Sequence, residues 1–210
     1  MREEEKLANN AYKLLGTTWA AQTRVFTNIA NSEASHTEAI RQLLVRYTLA
    51  DPAAKLADGV FQNQTLQQLY NSLIAQGTLS YIDALKVGCA IEEIDILDLQ
   101  NALVGIDNQD ITVVYNNLNL GSRNHLRSFV KALTWVGITY VPQYLSPEAY
   151  LAIVSTPIER GNWHSSHPWL WPRAISIFKY AILENKNTNM KPSVKSLYAA
   201  NFLSIQQMHG

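Results

Sequence analysis

Phe26-Thr-Asn-Ile29-Ala-Asn-Ser-Glu33-Ala-Ser-His36-Thr-Glu-Ala-Ile40-Arg-Gln-Leu-Leu44-Val-Arg-Tyr47 reads as a single helix. Phe26, Ile29, Ile40, Leu44 and Tyr47 recur at three- and four-residue intervals, the helical period. Glu33 and His36 fall on the same stripe, where core residues belong. A carboxylate buried without a partner is costly, so something must compensate Glu33. Residues three apart share a helix face, so Glu33 and His36 present an oxygen and a nitrogen ligand to one point. The spacing alone arises often by chance; its inward phase sets it apart here.

The rest of the chain follows the same period. Glycine numbers only nine, and long apolar-periodic stretches lie between turn signals. A first helix is expected from about Glu3 to Leu15, with Gly16 taking the left-handed closing conformation. The second covers roughly Ala21 to Leu49 and stops before Asp51-Pro52. A short amphipathic helix with Leu66, Leu69, Tyr70 and Leu73 ends near Gly77. The third long helix runs from Ser80 to about Val104, and the fourth from Asp110, as its cap, to about Val136. An all-α fold follows, an antiparallel four-helix bundle with a short extra helix between helices two and three. Ser146-Pro147-Glu148 reads as one more helix start. Beyond about residue 155 the period is lost among Pro157, Trp163, His164, His167, Pro168, Trp169 and Trp171. The expected organisation is therefore a bundle domain over 1–154 and an irregular C-terminal appendage over 155–210.

Composition narrows the function classes. Seventeen basic and seventeen acidic side chains give zero formal charge, so no global field recruits nucleic acid or an anionic membrane. No apolar run reaches the length that spans a bilayer. The lone Cys89, among Val87, Ala90 and Ile91, reads as a buried packing residue with no base nearby in sequence. No export signal is visible, which makes a cytoplasmic placement the default. A helix that opens at Met1 leaves no room for a cap, so further chain upstream is expected.

Each remaining long helix carries its own candidate ligand. Glu92 lies on the third helix's stripe of Leu85, Gly88, Leu99 and Leu103, with Asp95 beside it as a second-rank ligand. Glu93 is placed on the outer face with Lys86 and Gln100. On the fourth helix His125 sits within Leu118, Ser122, Leu126, Phe129 and Leu133; three residues before it stands Ser122 instead of an acid. Glu5 on the first helix shares a stripe with Ala8, Tyr12 and Leu15. A di-metal carboxylate bundle takes one Glu from each of two helices and a Glu-x-x-His pair from each of the other two. Glu5, Glu33, His36, Glu92 and His125 match all of it but the acid at position 122. Carboxylates with two imidazoles suit two iron ions, or manganese, and leave positions open for oxygen or peroxide.

Four strings, Met1-Arg-Glu-Glu-Glu-Lys-Leu-Ala8, Asn28-Ile-Ala-Asn-Ser-Glu-Ala-Ser-His36, Ala84 through Leu99 and Gly121-Ser-Arg-Asn-His-Leu126, with the ending Thr139 to Glu148, resemble a prokaryotic ferritin-like family. That family is catalogued as a domain of unknown function, DUF2202, and is related in fold to rubrerythrins and ferritins. The resemblance covers about residues 1–154. It implies a ferritin-like fold and a metal site, without an assigned reaction, and a fold does not by itself fix a function. The expected function is a di-iron protein that reacts with oxygen or peroxide or oxidises Fe(II), with Tyr12 or Tyr115 orienting a ligand or passing an electron. The alternative is a non-catalytic metal-binding or protein-interaction bundle that uses the aromatic tail. A homodimer is compatible with either.

Overall fold

The computed structural model describes residues 1–160. The Trp163–Trp171 cluster and the rest of the expected appendage beyond 160 lie outside the described residues. Met1–Glu159 forms one compact unit. Among the described residues there are six helices and no strand: α1 Arg2–Thr18, α2 Val25–Arg46, α3 Gln64–Gly77, α4 Tyr81–Leu103, α5 Gln109–Trp135 and α6 Pro147–Val154. None of them is long and apolar enough to cross a membrane.

Local chemistry sets several of the ends. The Asn63 side chain accepts from the amides of Thr65 and Leu66 to start α3, and Ser80 accepts from the Asp83 amide to start α4. Each satisfies donors that the first helical turn leaves unpaired. Ser146 caps α6 with Pro147 in its first turn, as expected. Gly137, with φ of 78°, closes α5, and the Ile138 amide reaches back to the Leu133 carbonyl; a left-handed residue here costs glycine nothing.

Two expected ends are corrected. Gly16 does not close α1, which continues to Thr18. A Cβ on Gly16 would lie 3.1 Å from Thr27 Oγ1 and 3.3 Å from the Thr27 amide, so the glycine serves the close approach of α1 to α2. Asp110 does not cap α5 either; Asn108 holds that position. Asp110 instead accepts from Tyr47 Oη at 2.8 Å and pairs with Arg46 at 2.9 Å, tying the end of α2 to the start of α5.

α1 packs on α2 and α4 on α5; α2 also packs on α5, and α1 on α4, while α3 lies against α1 and α4. Two apolar groups form inside. Tyr12, Phe26 and Phe129 stack with ring centroids 5.3–6.4 Å apart, and a Cβ on Gly88 would sit 2.6 Å from the Phe129 ring. Ile40, Leu99 and Leu118 form the second group, joined by Met1, Val114 and Tyr115. Between these two layers lies a band of buried charge.

Candidate metal centre

Glu5, Glu33, His36, Glu92 and His125 converge from α1, α2, α4 and α5. Two triads can be drawn. In one, ligand atoms of Glu5, Glu33 and His36 all lie within 4.8 Å of one another; in the other, those of Glu33, Glu92 and His125 do. Glu33 belongs to both. Its Oε2 is 3.1 Å from His36 Nδ1 and its Oε1 is 2.8 Å from His125 Nδ1. His36 Nδ1 is also 3.4 Å from Glu5 Oε2, and His125 Nδ1 is 3.5 Å from Glu92 Oε1. Both imidazoles therefore turn the same nitrogen inward, and the rings stack at 5.5 Å.

The outer nitrogens are held differently. His125 Nε2 shares a hydrogen bond with Ser32 Oγ at 3.0 Å. His36 Nε2 packs against the α5 backbone, where a Cβ on Gly121 would come within 2.6 Å of it. Outer contacts of this kind fix ring orientation and leave the inward lone pair aimed. Tyr12 Oη donates to Glu92 Oε1 at 2.6 Å.

Several buried polar atoms of the cluster stand without a hydrogen-bond partner. Glu5 Oε1, Glu33 Oε1, Glu92 Oε2, Asp95 Oδ2 and His125 Nδ1 have no hydrogen-bond partner. Glu33 Oε1 and His125 Nδ1 are near each other without a hydrogen bond's alignment. Buried polar groups are ordinarily satisfied, so five orphans in one band are a strong departure. Donors side by side on one ion, each at about 2.1 Å, would be about 3 Å apart. The observed 2.8–3.5 Å separations are of that size. The residues present thus fit a pair of cations by spacing, by orphaned lone pairs and by the chemistry of the donor set.

The buried charges of the cluster also shift one another. Burial pushes the Glu33 carboxyl up, but the charge of His36 and the contact with His125 outweigh it and hold Glu33 well below the usual range. Burial pulls both imidazoles down; Glu33 then lifts His36 to about 11, and Glu92 with Glu33 lifts His125 to about 9. Burial raises Glu5 to about 7 and also raises Glu92. Without a cation the cluster holds itself together by keeping protons.

Two residues stand differently from expectation or apart from the triads. Asp95 is buried, 4% exposed, but belongs to neither triad. Burial first, then the charges of Glu5, Glu92 and Glu33, raise its carboxyl well above the ordinary value. Glu93 corrects its outer-face placement: it is 0% exposed. Its carboxylate accepts from Tyr140 Oη at 2.6 Å and from the amides of Gln143, Tyr144 and Leu145 at 2.7–3.0 Å. The segment after α5 covers the outer side of α4, so α4 has no solvated face there. Ser122 is buried, and its hydroxyl donates to the Leu118 carbonyl of its own helix. Tyr115 joins the Ile40, Leu99 and Leu118 layer. Ser32 and Gly121 escaped the sequence reading, because a serine and a glycine carry no signal of what faces them.

The sequence profile of the family described as "Uncharacterized protein domain (DUF2202)" matches residues 1–157. The chain is similar to Uncharacterized protein MJ0754 of Methanocaldococcus jannaschii, with 47% identity over 161 residues, covering 77% of this chain and 86% of that protein. It is also similar to the solved structure titled as the crystal structure of hypothetical protein MJ0754 from Methanococcus jannaschii. There the TM-score is 0.73 at 46% identity, covering 76% of this chain and 90% of the other.

Proposed function

We propose, for a chain that belongs to the DUF2202 family, that the four long helices form a ferritin-like, rubrerythrin-related antiparallel bundle around a two-metal carboxylate centre. The centre is di-iron, with manganese as the substitute metal, and it reacts with oxygen or peroxide or oxidises Fe(II).

The levels shared by side chains support the topology. Tyr12, Phe26, Gly88 and Phe129 meet in one layer, and Met1, Ile40, Leu99 and Leu118 in the other. α1 and α5 therefore run one way between the layers, and α2 and α4 the other. Joining α2 to the parallel α4 needs a crossover, supplied by the segment that carries α3. One long crossover is the mark of the ferritin-like variant of this architecture.

The observation that carries the metal reading is Glu33, shared by both triads with one oxygen toward each histidine. Glu33 would bridge, while Glu5 with His36 and Glu92 with His125 would complete the two positions. A pair of iron ions supplies one-electron redox steps and open positions for oxygen or peroxide. The chain's own residues do the rest. Tyr12 Oη keeps its own proton, donates it in a hydrogen bond to Glu92 Oε1 and so orients that carboxylate. The apolar layers above and below restrict water and strengthen every charge interaction between them.

The test is oxygen consumption by the Fe(II)-loaded protein on admitting air, and the rate of Fe(II) oxidation on adding peroxide. Uptake in proportion to bound iron and faster than free Fe(II) is expected. Bound iron inert to both oxidants would leave the alternative, a non-catalytic metal-binding bundle.

A further inference from the structure

The two metal positions differ from the full Glu-x-x-His pattern at one place, residue 122, where serine stands one turn before His125. The Ser122 hydroxyl is spent on the Leu118 carbonyl and reaches no charged group. Helix register shows what lies opposite. Glu92 on α4 faces His125 on α5 at 3.5 Å, and one turn further along α4 the Ile96 carbonyl accepts from Asn119 Nδ2 at 3.3 Å. Because these contacts advance along α4 while they retreat along α5, Asp95 stands level with the turn of α5 that carries Ser122. Asp95 is buried, its Oδ2 has no partner, and nothing of opposite charge stands among the groups whose fields it feels most, Glu5, Glu92 and Glu33.

We propose that Asp95 supplies from α4 the carboxylate that position 122 lacks on α5, so that the site's fourth acid stands on the facing helix. This rests on the two-metal reading above. Charge count supports it. Glu5, Glu33, Glu92 and Asp95 are four buried carboxylates with two histidines, and four negative charges with neutral imidazoles balance two divalent cations. Without Asp95 one positive charge would remain uncompensated in a dry interior, where such an imbalance is costly. Volume supports it as well: a small residue at 122 leaves the facing level free for an inward acid at 95. An acid at both places would set two carboxylates face to face.

The experiment is anaerobic Fe(II) titration of the full metal-free chain, read as ions bound per chain and affinity of each, with thermal melting of the metal-free proteins in parallel. Wild type is expected to take about two ions. Asp95→Asn keeps the first and binds the second at least about tenfold more weakly, while its metal-free form melts no lower than wild type because a buried acid is gone. Asp95→Asn combined with Ser122→Glu regains the second ion, an outcome that a merely structural role for Asp95 would not produce. Two ions bound by Asp95→Asn as tightly as by wild type would overturn the inference and leave the two-metal reading standing. No ion bound by wild type would overturn both.

Discussion

Glu33 Oε1 and His125 Nδ1 lie 2.8 Å apart as a buried ion pair whose alignment falls short of a hydrogen bond. Two charged partners at that distance that decline to align are oriented by something other than each other. His125 is turned by Ser32 from behind and Glu33 is shared with His36 in front. Each side chain of the pair is thus held by a contact of its own.

Rising pH should destabilise the metal-free protein and widen its gap from the metal-bound protein. In the metal-free fold His36 holds its proton to about 11 and His125 to about 9, whereas the unfolded chain releases them near pH 6.5. Their stabilisation is complete below about 6.5 and is lost as pH rises through 9 and then 11. Glu5, raised to about 7, acts in the same sense between about 4.5 and 7. Melting temperature without metal should fall between about pH 6 and 9, on the order of 1 kcal/mol per pH unit, with about 2–4 °C for each kcal/mol. Mn(II) must displace the same protons, so the rise in melting temperature that it causes should grow over that range. A metal-free melting temperature that climbs with pH would contradict the account.

Gly121→Ala tests the packing behind His36. In a helix interior, alanine for glycine ordinarily gains about 1 kcal/mol. Here the new Cβ would lie 2.6 Å from both Cε1 and Nε2 of His36, and the ring must swing away from Glu5 and Glu33. The expected outcome is loss of one bound ion of the pair, with no gain in melting temperature. Metal analysis and a thermal melt decide it; a stabilised variant with full metal content would rule out the contact.

Tyr12→Phe removes the donor to Glu92 Oε1 and keeps the ring that stacks on Phe26 and Phe129. An oxygen left unsatisfied in the interior costs about 1–3 kcal/mol. The metal-free variant should lose that much by urea unfolding, and metal loading should return part of it by giving Glu92 a new partner.

Glu93→Ala should be the most damaging of these changes to the fold and the least damaging to the site. It strips one hydroxyl and three backbone amides of their acceptor at once, a loss on the order of 3 kcal/mol or more. Unfolding curves should show it, while Fe(II) uptake persists at temperatures where the variant is folded. Loss of metal from a fully folded Glu93→Ala protein would mean that the covering segment also sets the rotation of α4.

The physics of single helices explains which parts could be read in advance. Glu33 and His36 were legible because an acid on an apolar stripe violates the helical pattern, and Glu5, Glu92 and His125 repeat the violation on other helices. Glu93 was misplaced for a complementary reason. A helical period finds the side facing neighbouring helices, but α4 is covered on its other side too, by an irregular segment with no period at 140–145. Gly16 and Asp110 failed similarly: the residue types were right for helix ends, and tertiary contacts with Thr27, Arg46 and Tyr47 claimed them instead. Ser32 and Gly121 gain meaning only from the histidines across the interface.

The most direct measurement is Fe(II) bound per chain after anaerobic loading of wild type, Glu5→Gln and Glu33→Gln. Because Glu33 alone serves both triads, about two ions are expected in wild type, about one in Glu5→Gln and close to none in Glu33→Gln. Equal losses in the two variants, or metal retained without Glu33, would contradict a centre built around that shared carboxylate.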